Sequence, residues 1–288
     1  MIALKSDLDG NTLPIKNKSN ETVCTPEELV FFFRYCFSPK ERKFKIILLT
    51  QLGCECRIHE SCAINLDDFH KGSNYRKVDM LIQKKAKVIT TEKGSKKMIG
   101  RNVIVTKEIP ESIAAHLRAW IKDNWNWINE NQGYIFPSSH MEKILYYTNP
   151  RIVTCFMSNK RKQLIKLFPD KTFGKIIGWR FYKNKTNMLR GKSPFYLWST
   201  HLMKRFAGTY TYLLTKDPIF TKELLCHERF ETTQKHYIDP ARVMQNRDIE
   251  KVKKKLFDIK FYEGIKGENE DVPAVWEYDK HIKTLWKQ

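Results

Sequence analysis

CHERFETTQKHYID, running from Cys226 to Asp239, decides how this chain is read, together with the basic segment THLMKRFAGTY at Thr200–Tyr210. These stretches set histidines, cations and a tyrosine, Tyr237, within forty residues. Much earlier, a single arginine, Arg57, stands in GCECRIHESCAINLDDF. Breaking a phosphodiester bond without a divalent metal requires a nucleophile, cationic donors for the charge that grows on the nonbridging oxygens, and an acid for the departing oxygen. Arginine suits the second task, because its planar guanidinium grips phosphate oxygens in pairs and keeps its charge. Tyrosine suits the first, because a phosphate ester of the phenol stores the bond energy for rejoining. Its ordinary pKa near 10 means that neighbours must stabilise or accept charge.

The bulk composition agrees with a polyanionic partner. A formal charge of +20 over 288 residues attracts nucleic acid, since each Lys or Arg placed on a phosphate releases condensed counterions. With 41% hydrophobic residues the chain can fill a core, which excludes a disordered polycation. No apolar run approaches membrane-spanning length and MIALKSDLDGN lacks a signal-peptide core, so no membrane partner is expected. Seven cysteines without framework spacing suit a reducing interior. The expected location is the cytoplasm, associated with the nucleoid, or the nucleus if the host is eukaryotic.

Outward from the motif, residues 1–24 are polar and read as an arm or linker. Thr25-Pro26-Glu27-Glu28 starts a helix with a capping hydroxyl, a proline in the first turn and acids at the positive dipole end. A second helix is predicted over Phe44–Leu52, with Gly53 as its breaker, and a third from near Arg57 to before Asp67-Asp68. Then the period changes: Val78, Met80 and Ile82 alternate, and Val88-Ile89 and Val103–Val105 supply further β-branched material. This predicts a small antiparallel sheet of two or three strands with a Lys-rich hairpin. Helices follow from Pro110, with Ile113, Leu117, Trp120 and Ile121 on one face, and over Pro150–Phe168. Pro169–Pro194 interleaves cations with Trp179, Phe181 and Tyr182, which fits either a surface tracking phosphates or a solvated loop with core anchors. Further helices are predicted at Trp198–Leu214, Thr221–Leu225 and Ala241–Phe257.

In this order the residues resemble the tyrosine recombinases, the phage-integrase family of DNA strand-exchange enzymes. Arg57-Ile58-His59-Glu60, followed by Leu66 and Asp68, is similar to the family's first arginine motif, with Glu60 orienting the guanidinium. Lys93-Gly94-Ser95-Lys96 resembles its KGxK turn, whose first lysine enters the minor groove and can protonate the leaving 5′ oxygen. His201 with Lys204 and Arg205 resembles its His-x-x-Arg motif but departs from it, since the residue three after His201 is a lysine. The count back from Tyr237 favours Arg205 for the second arginine and the count back from His227 favours Lys204. Two guanidiniums match the transition state better, which favours Arg205. Leu224-Leu225-Cys226-His227 resembles Leu-Leu-Gly-His, which makes His227 a donor to a nonbridging oxygen. Thr232-Thr233-Gln234 resembles the turn before the nucleophile, here Tyr237, with His236 as a bystander.

The resemblance implies an α+β, mainly α fold, the tyrosine-recombinase catalytic domain, over residues 25–239. Residues 137–194 would be its basic, insertion-containing part and 240–288 a helical tail bearing Lys251, Lys253, Lys254 and Lys255. Expected catalytic residues are Arg57, Lys93, His201, Arg205, His227 and Tyr237, with no metal and no cofactor. Expected partners are double-stranded DNA and further copies of the chain, two on inverted half-sites and four in a synaptic complex. The arm before Thr25 is too short for the separate N-terminal domain usual in such integrases, so a catalytic fragment or a reduced branch is expected. Two alternatives keep the fold: a type IB topoisomerase-like enzyme, and a catalytically impaired DNA-binding protein. A rival reading, zinc on Cys54, Cys56, His59 and Cys62, has suitable ligand types but lacks C-x2-C spacing, so the cysteines are expected to be hydrophobic filling.

Overall fold

The computed structural model describes residues 12–14, 23–90, 96–138, 146–183 and 189–238; for 12–14, 83–90, 96–102, 180–183, 189–192, 214 and 235 it describes the backbone alone. Strand β1 (Thr12–Pro14) precedes helix α1 (Pro26–Tyr35). The start of α1 follows the sequence signal: Thr25 Oγ1 accepts from the Glu28 amide at 3.2 Å, and the Glu28 carboxylate accepts from the Thr25 amide at 3.2 Å. Glu28 also reaches the Thr172 amide at 3.3 Å, tying this helix start to a distant turn.

Helix α2 (Arg42–Cys54) is the central element, with Lys45 through Cys54 all buried. Its unbroken Ile-Ile-Leu-Leu run thus finds neighbours on every side. Gly53 does not break it. A Cβ there would stand 3.0 Å from Ile113 Cδ1 and 3.3 Å from Pro110 Cδ, so the glycine permits close approach of the next helical layer. The turn comes at Glu55, which takes a left-handed φ of 54°. Helix α3 (Ile58–Cys62) follows at once, then a 3-10 turn at Leu66–Asp68.

Strands β2 (Lys77–Thr90) and β3 (Lys96–Glu108) form a long antiparallel hairpin with a register shift between Lys84 and Lys87. Val78, Met80 and Ile82 face the core, as their alternation predicts, and Leu81 and Ile104 pair on the outer face. The Val88-Ile89 segment lies in β2 rather than in a strand of its own. Helices α4 (Glu111–Asp123) and α5 (Trp125–Glu130) follow, with Ile113, Leu117, Trp120 and Ile121 buried. The Trp120 indole donates to the Ile135 carbonyl at 2.6 Å, fixing the Tyr134–Pro137 plug beneath α4.

Helix α6 (Pro150–Leu167) buries Val153, Met157 and Leu164 and pairs the buried Lys160 with Glu41 at 2.6 Å. The basic stretch after it is not a loop. It forms strands β4 (Ile176–Lys183) and β5 (Leu189–Tyr196), and β1 adds to β4 through Thr12 opposite Tyr182 and Pro14 opposite Arg180. Among the described residues there are therefore two small antiparallel sheets where one was expected. Helices α7 (His201–Thr215), α8 (Pro218–Leu224) and α9 (Phe230–Thr233) complete the described chain, ending in a π-helical turn at Gln234–Ile238. Helix α7 packs on α2, and Gln51 donates to the Thr200 carbonyl at 2.8 Å. Trp198 sits 4.9 Å from Phe32 and 4.7 Å from Phe173, ring centre to ring centre, and so joins α1 to the start of α7. No described helix is long and apolar enough to cross a membrane. The lysines of the tail and the helix expected over Ala241–Phe257 lie outside the described residues.

Thr25→Ala removes the hydroxyl half of the α1 cap and should lower stability by about 1 kcal/mol. A urea denaturation midpoint shifted down at constant slope checks it.

Candidate functional site

The left-handed turn at Glu55 delivers Arg57 to the first position before α3. Its extended backbone leaves its own amide pointing along the new helix, and the Glu60 carboxylate accepts from that amide at 2.5 Å. The other Glu60 oxygen accepts from Arg57 Nη1 at 3.0 Å. The expected role of Glu60 is therefore met: one carboxylate, with its side chain 1% exposed, fixes both the turn and the guanidinium.

Helix α7 presents Lys204 and Arg205 to different neighbours. Lys204 is buried and donates through Nζ to the Leu225 carbonyl at 2.9 Å. Burial pushes its ammonium below the ordinary range, Glu60 opposes that shift, and Arg57 adds to it. Arg205 lies with Cζ 5.0 Å from the centre of the Phe195 ring at the end of β5. Its Nη1 is buried and has no hydrogen-bond acceptor among the described residues. The two candidates for the second cation thus sit side by side in sequence but serve different partners, Lys204 beside Arg57 and Glu60, Arg205 beside Tyr237.

His227 follows Cys226, whose φ of 56° ends α8 in a left-handed turn. Its amide donates to the Lys222 carbonyl at 3.0 Å, and Nδ1 lies 3.0 Å from Thr233 Oγ1. That contact occupies one ring nitrogen and leaves Nε2 for a ligand. Burial, then the charges of Lys204 and Arg57, then those of His236 and Lys107, push His227 down to about 3. Its ring centre is 5.1 Å from that of Tyr237, tilted by 47°. Tyr237, on the π-helical turn, is pushed up to about 12 by burial, against the pull of Arg205 and then Arg57. The phenol is therefore protonated at neutral pH.

The structure gathers Arg57, Arg205, His227 and Tyr237. His201 is exposed at the first residue of α7, and Lys93 lies outside the described residues. His236, expected as a bystander, lies close enough to add to the field at His227. Sequence reasoning missed Lys107 and Glu55. Lys107 is buried, donates to the Leu224 carbonyl, and has Nζ 3.9 Å from Glu55 Oε2. A signal existed: Lys107 is in phase with Val103 and Val105 and pairs with Val78, on the inward face of the hairpin. Burial pushes the Glu55 carboxyl up to about 7, opposed by Lys107 and Lys204. Cys54, Cys56 and Cys62 are buried, and among the described residues no three His, Cys, Asp or Glu side chains are grouped to hold a metal ion.

Solved structures of recombinases share part of this chain path. The XerH site-specific recombinase bound to difH substrate is 16% identical with a TM-score of 0.42, covering 74% of this chain and 49% of its own. The XerA recombinase is 14% identical with a TM-score of 0.49, covering 82% and 68%. The Tn1549 transposon integrase in complex with circular intermediate DNA is 14% identical with a TM-score of 0.46, covering 77% and 64%. The chain thus spans about half the length of XerH. No protein-family model and no curated protein matches the sequence. The likeness is distant, and the roles of individual residues rest on the geometry of this site.

Two outcomes test that geometry. A methyl at Gly208 would stand 2.6 Å from Leu225 Cδ1 and closer still to the Tyr237 ring, so Gly208→Ala should cost about 1–3 kcal/mol in thermal unfolding and disturb the tyrosine. Unfolded histidine binds its proton near pH 6.5, whereas His227 in the fold binds one only near pH 3. Between those values the unfolded state holds more protons, so this group makes stability fall as pH drops through that window. His227→Gln should flatten the acid limb of the stability curve, measured by denaturation from pH 7 to 4.

Proposed function

We propose that this protein cuts and rejoins DNA as a site-specific tyrosine recombinase or integrase, with Tyr237 as nucleophile. The observation that carries the reading is the grouping of Tyr237 with His227, 5.1 Å away ring to ring, and with Arg205 and Arg57, while Lys204 stands beside Arg57 and His227 in the same largely buried, cation-rich site. Such a site carries an excess of positive charge in a low-dielectric setting, which favours an anion with several oxygens.

In this reading a DNA phosphate enters between the cations. Arg57, held by Glu60, and Lys204 bind one nonbridging oxygen, and His227 Nε2 binds another. Arg205 supplies its unpaired Nη1 and lowers the cost of forming a phenolate at Tyr237. The Tyr237 hydroxyl releases its proton to water as its oxygen attacks phosphorus, the P–O bond to the 5′ oxygen breaks, and that oxygen leaves with a proton from the acid, so the proton count is unchanged. The product is a 3′-phosphotyrosine and a free 5′ hydroxyl. Attack by a 5′ hydroxyl reverses the step, so no high-energy cofactor enters the balance. Lys93, by its resemblance to the KGxK lysine, is the proposed acid. His201 is given no step. Lys204 stands beside Arg57 and Glu60, and its single ammonium offers there one prong where a guanidinium would offer two. Pairs of protomers on inverted half-sites, and tetramers for exchange, belong to the same proposal.

The substitution of lysine at that place favours one second reading, a DNA-binding protein with impaired chemistry. A nicked suicide DNA substrate separates the two. The recombinase reading expects a covalent protein–DNA adduct located at Tyr237 by mass spectrometry. Tyr237→Phe should abolish the adduct with DNA affinity nearly unchanged, and Arg57→Ala should slow its formation by about 100-fold or more. Tight binding with no adduct from the unaltered protein would sustain the impaired reading instead.

A further inference from the structure

We propose that Lys107 is a positioning residue for His227, acting from the β2–β3 hairpin through the carbonyl that ends α8. This inference rests on the strand-cleavage reading of His227.

The backbone before His227 is unusual in how it is held. Helix α8 ends at Leu224, and the last carbonyls of a helix lack partners within it. Two buried ammonium groups take consecutive ones: Lys107 donates to Leu224 and Lys204 donates to Leu225. Lys107 comes from β3 and Lys204 from α7, so the segment is gripped from two sides. The chain then turns at Cys226 through a left-handed φ, and the Cys226 and His227 amides close back on the Glu223 and Lys222 carbonyls at 2.9 and 3.0 Å. Where Leu224 and Leu225 sit therefore fixes where the His227 ring sits.

Lys107 stands where the strand register calls for an apolar residue, opposite the fully buried Val78. Placing an ammonium there costs desolvation that a leucine or valine would not incur. Two things compensate it: the Leu224 carbonyl and the Glu55 carboxylate at 3.9 Å. Glu55 itself is held on a left-handed residue at the end of α2, two residues before Arg57. Lys107 and Glu55 thus connect the Arg57 turn to the His227 turn, without either being placed to touch the scissile phosphate in the reading above.

The test compares the full chain with Lys107→Met and Lys107→Arg variants by backbone hydrogen exchange in the free protein and by adduct formation on the nicked DNA. A charge-assisted hydrogen bond is worth about a factor of ten or more, so Lys107→Met should speed exchange over residues 224–228 about tenfold. It should slow adduct formation by a similar factor at saturating DNA, with affinity unchanged. Lys107→Arg, which keeps a donor and a charge, should restore much of both. A substrate with sulfur at the leaving 5′ position needs no proton to depart, so it should not rescue Lys107→Met; rescue would make Lys107 an acid and overturn the positioning role. Unchanged exchange at 224–228, or faster exchange with an unaltered adduct rate, would also overturn it. If Lys107→Met fails to fold, adding Glu55→Gln removes the stranded carboxylate and the same measurements apply. Should the unaltered protein form no adduct, the strand-cleavage reading falls, and the exchange data alone decide whether Lys107 holds the His227 turn.

Discussion

The Glu60 carboxylate is the constraint on which the site depends. One of its oxygens satisfies the Arg57 amide and so makes the sharp passage from α2 into α3 possible, and the other orients the Arg57 guanidinium. Its negative charge also acts on Lys204, a residue almost one hundred and fifty positions later in the chain. Removing one member of a buried ionic group leaves the others uncompensated, at a typical cost of about 3–5 kcal/mol. Helix start and site geometry therefore share one carboxylate here: one oxygen starts a short helix and the other aims the first cation.

Around Glu60 the charges do not balance. Arg57, Lys107, Lys204 and Arg205 lie in or beside the site, whereas Glu55 and Glu60 are the carboxylates that act on it. Burial first, and neighbouring cations after it, show in the titration of the site. His227 resists protonation, Lys204 is pushed below its ordinary range, and Arg205 keeps a buried nitrogen without an acceptor among the described residues. On the strand-cleavage reading, one bound phosphate would offset each of these. The Glu60 carboxylate, the Leu225 carbonyl and the Phe195 ring hold these cations in place, which on the strand-cleavage reading is what electrostatic preorganisation requires.

Local signals in the sequence carried much of this architecture. Thr25-Pro26-Glu27-Glu28 forms a complete capping arrangement, the Ile-Ile-Leu-Leu run is buried throughout, and the alternation of Val78, Met80 and Ile82 places the hairpin's inner face. The β4–β5 hairpin was illegible because its cations fall among the aromatics and interrupt any period of two, and its third strand comes from Thr12–Pro14, far away in sequence. Gly53 misled for a related reason: its purpose is the approach of Ile113 and Pro110, which no local pattern reveals. Lys204 and Arg205 could not be separated by helical spacing, since neighbours on a helix differ by only 100°. Their roles are divided by the Leu225 carbonyl and the Phe195 ring, one from after the helix and one from before it. Lys107 carried a signal in its phase with Val103 and Val105, but a lysine on an inward face contradicts the usual preference of that residue for water.

The π-helical turn at Gln234–Ile238 stows Tyr237 in the notch that Gly208 leaves on α7, with the ring 6% exposed. On the strand-cleavage reading, a tyrosine so enclosed meets a phosphate embedded in a duplex only after that turn rewinds or swings away. The five residues of the turn are wound more loosely than an α-helix, and such windings are seldom extended far in proteins. On that same reading, a nucleophile sheathed at rest spares passing nucleic acid, and drawing it becomes an event separate from docking.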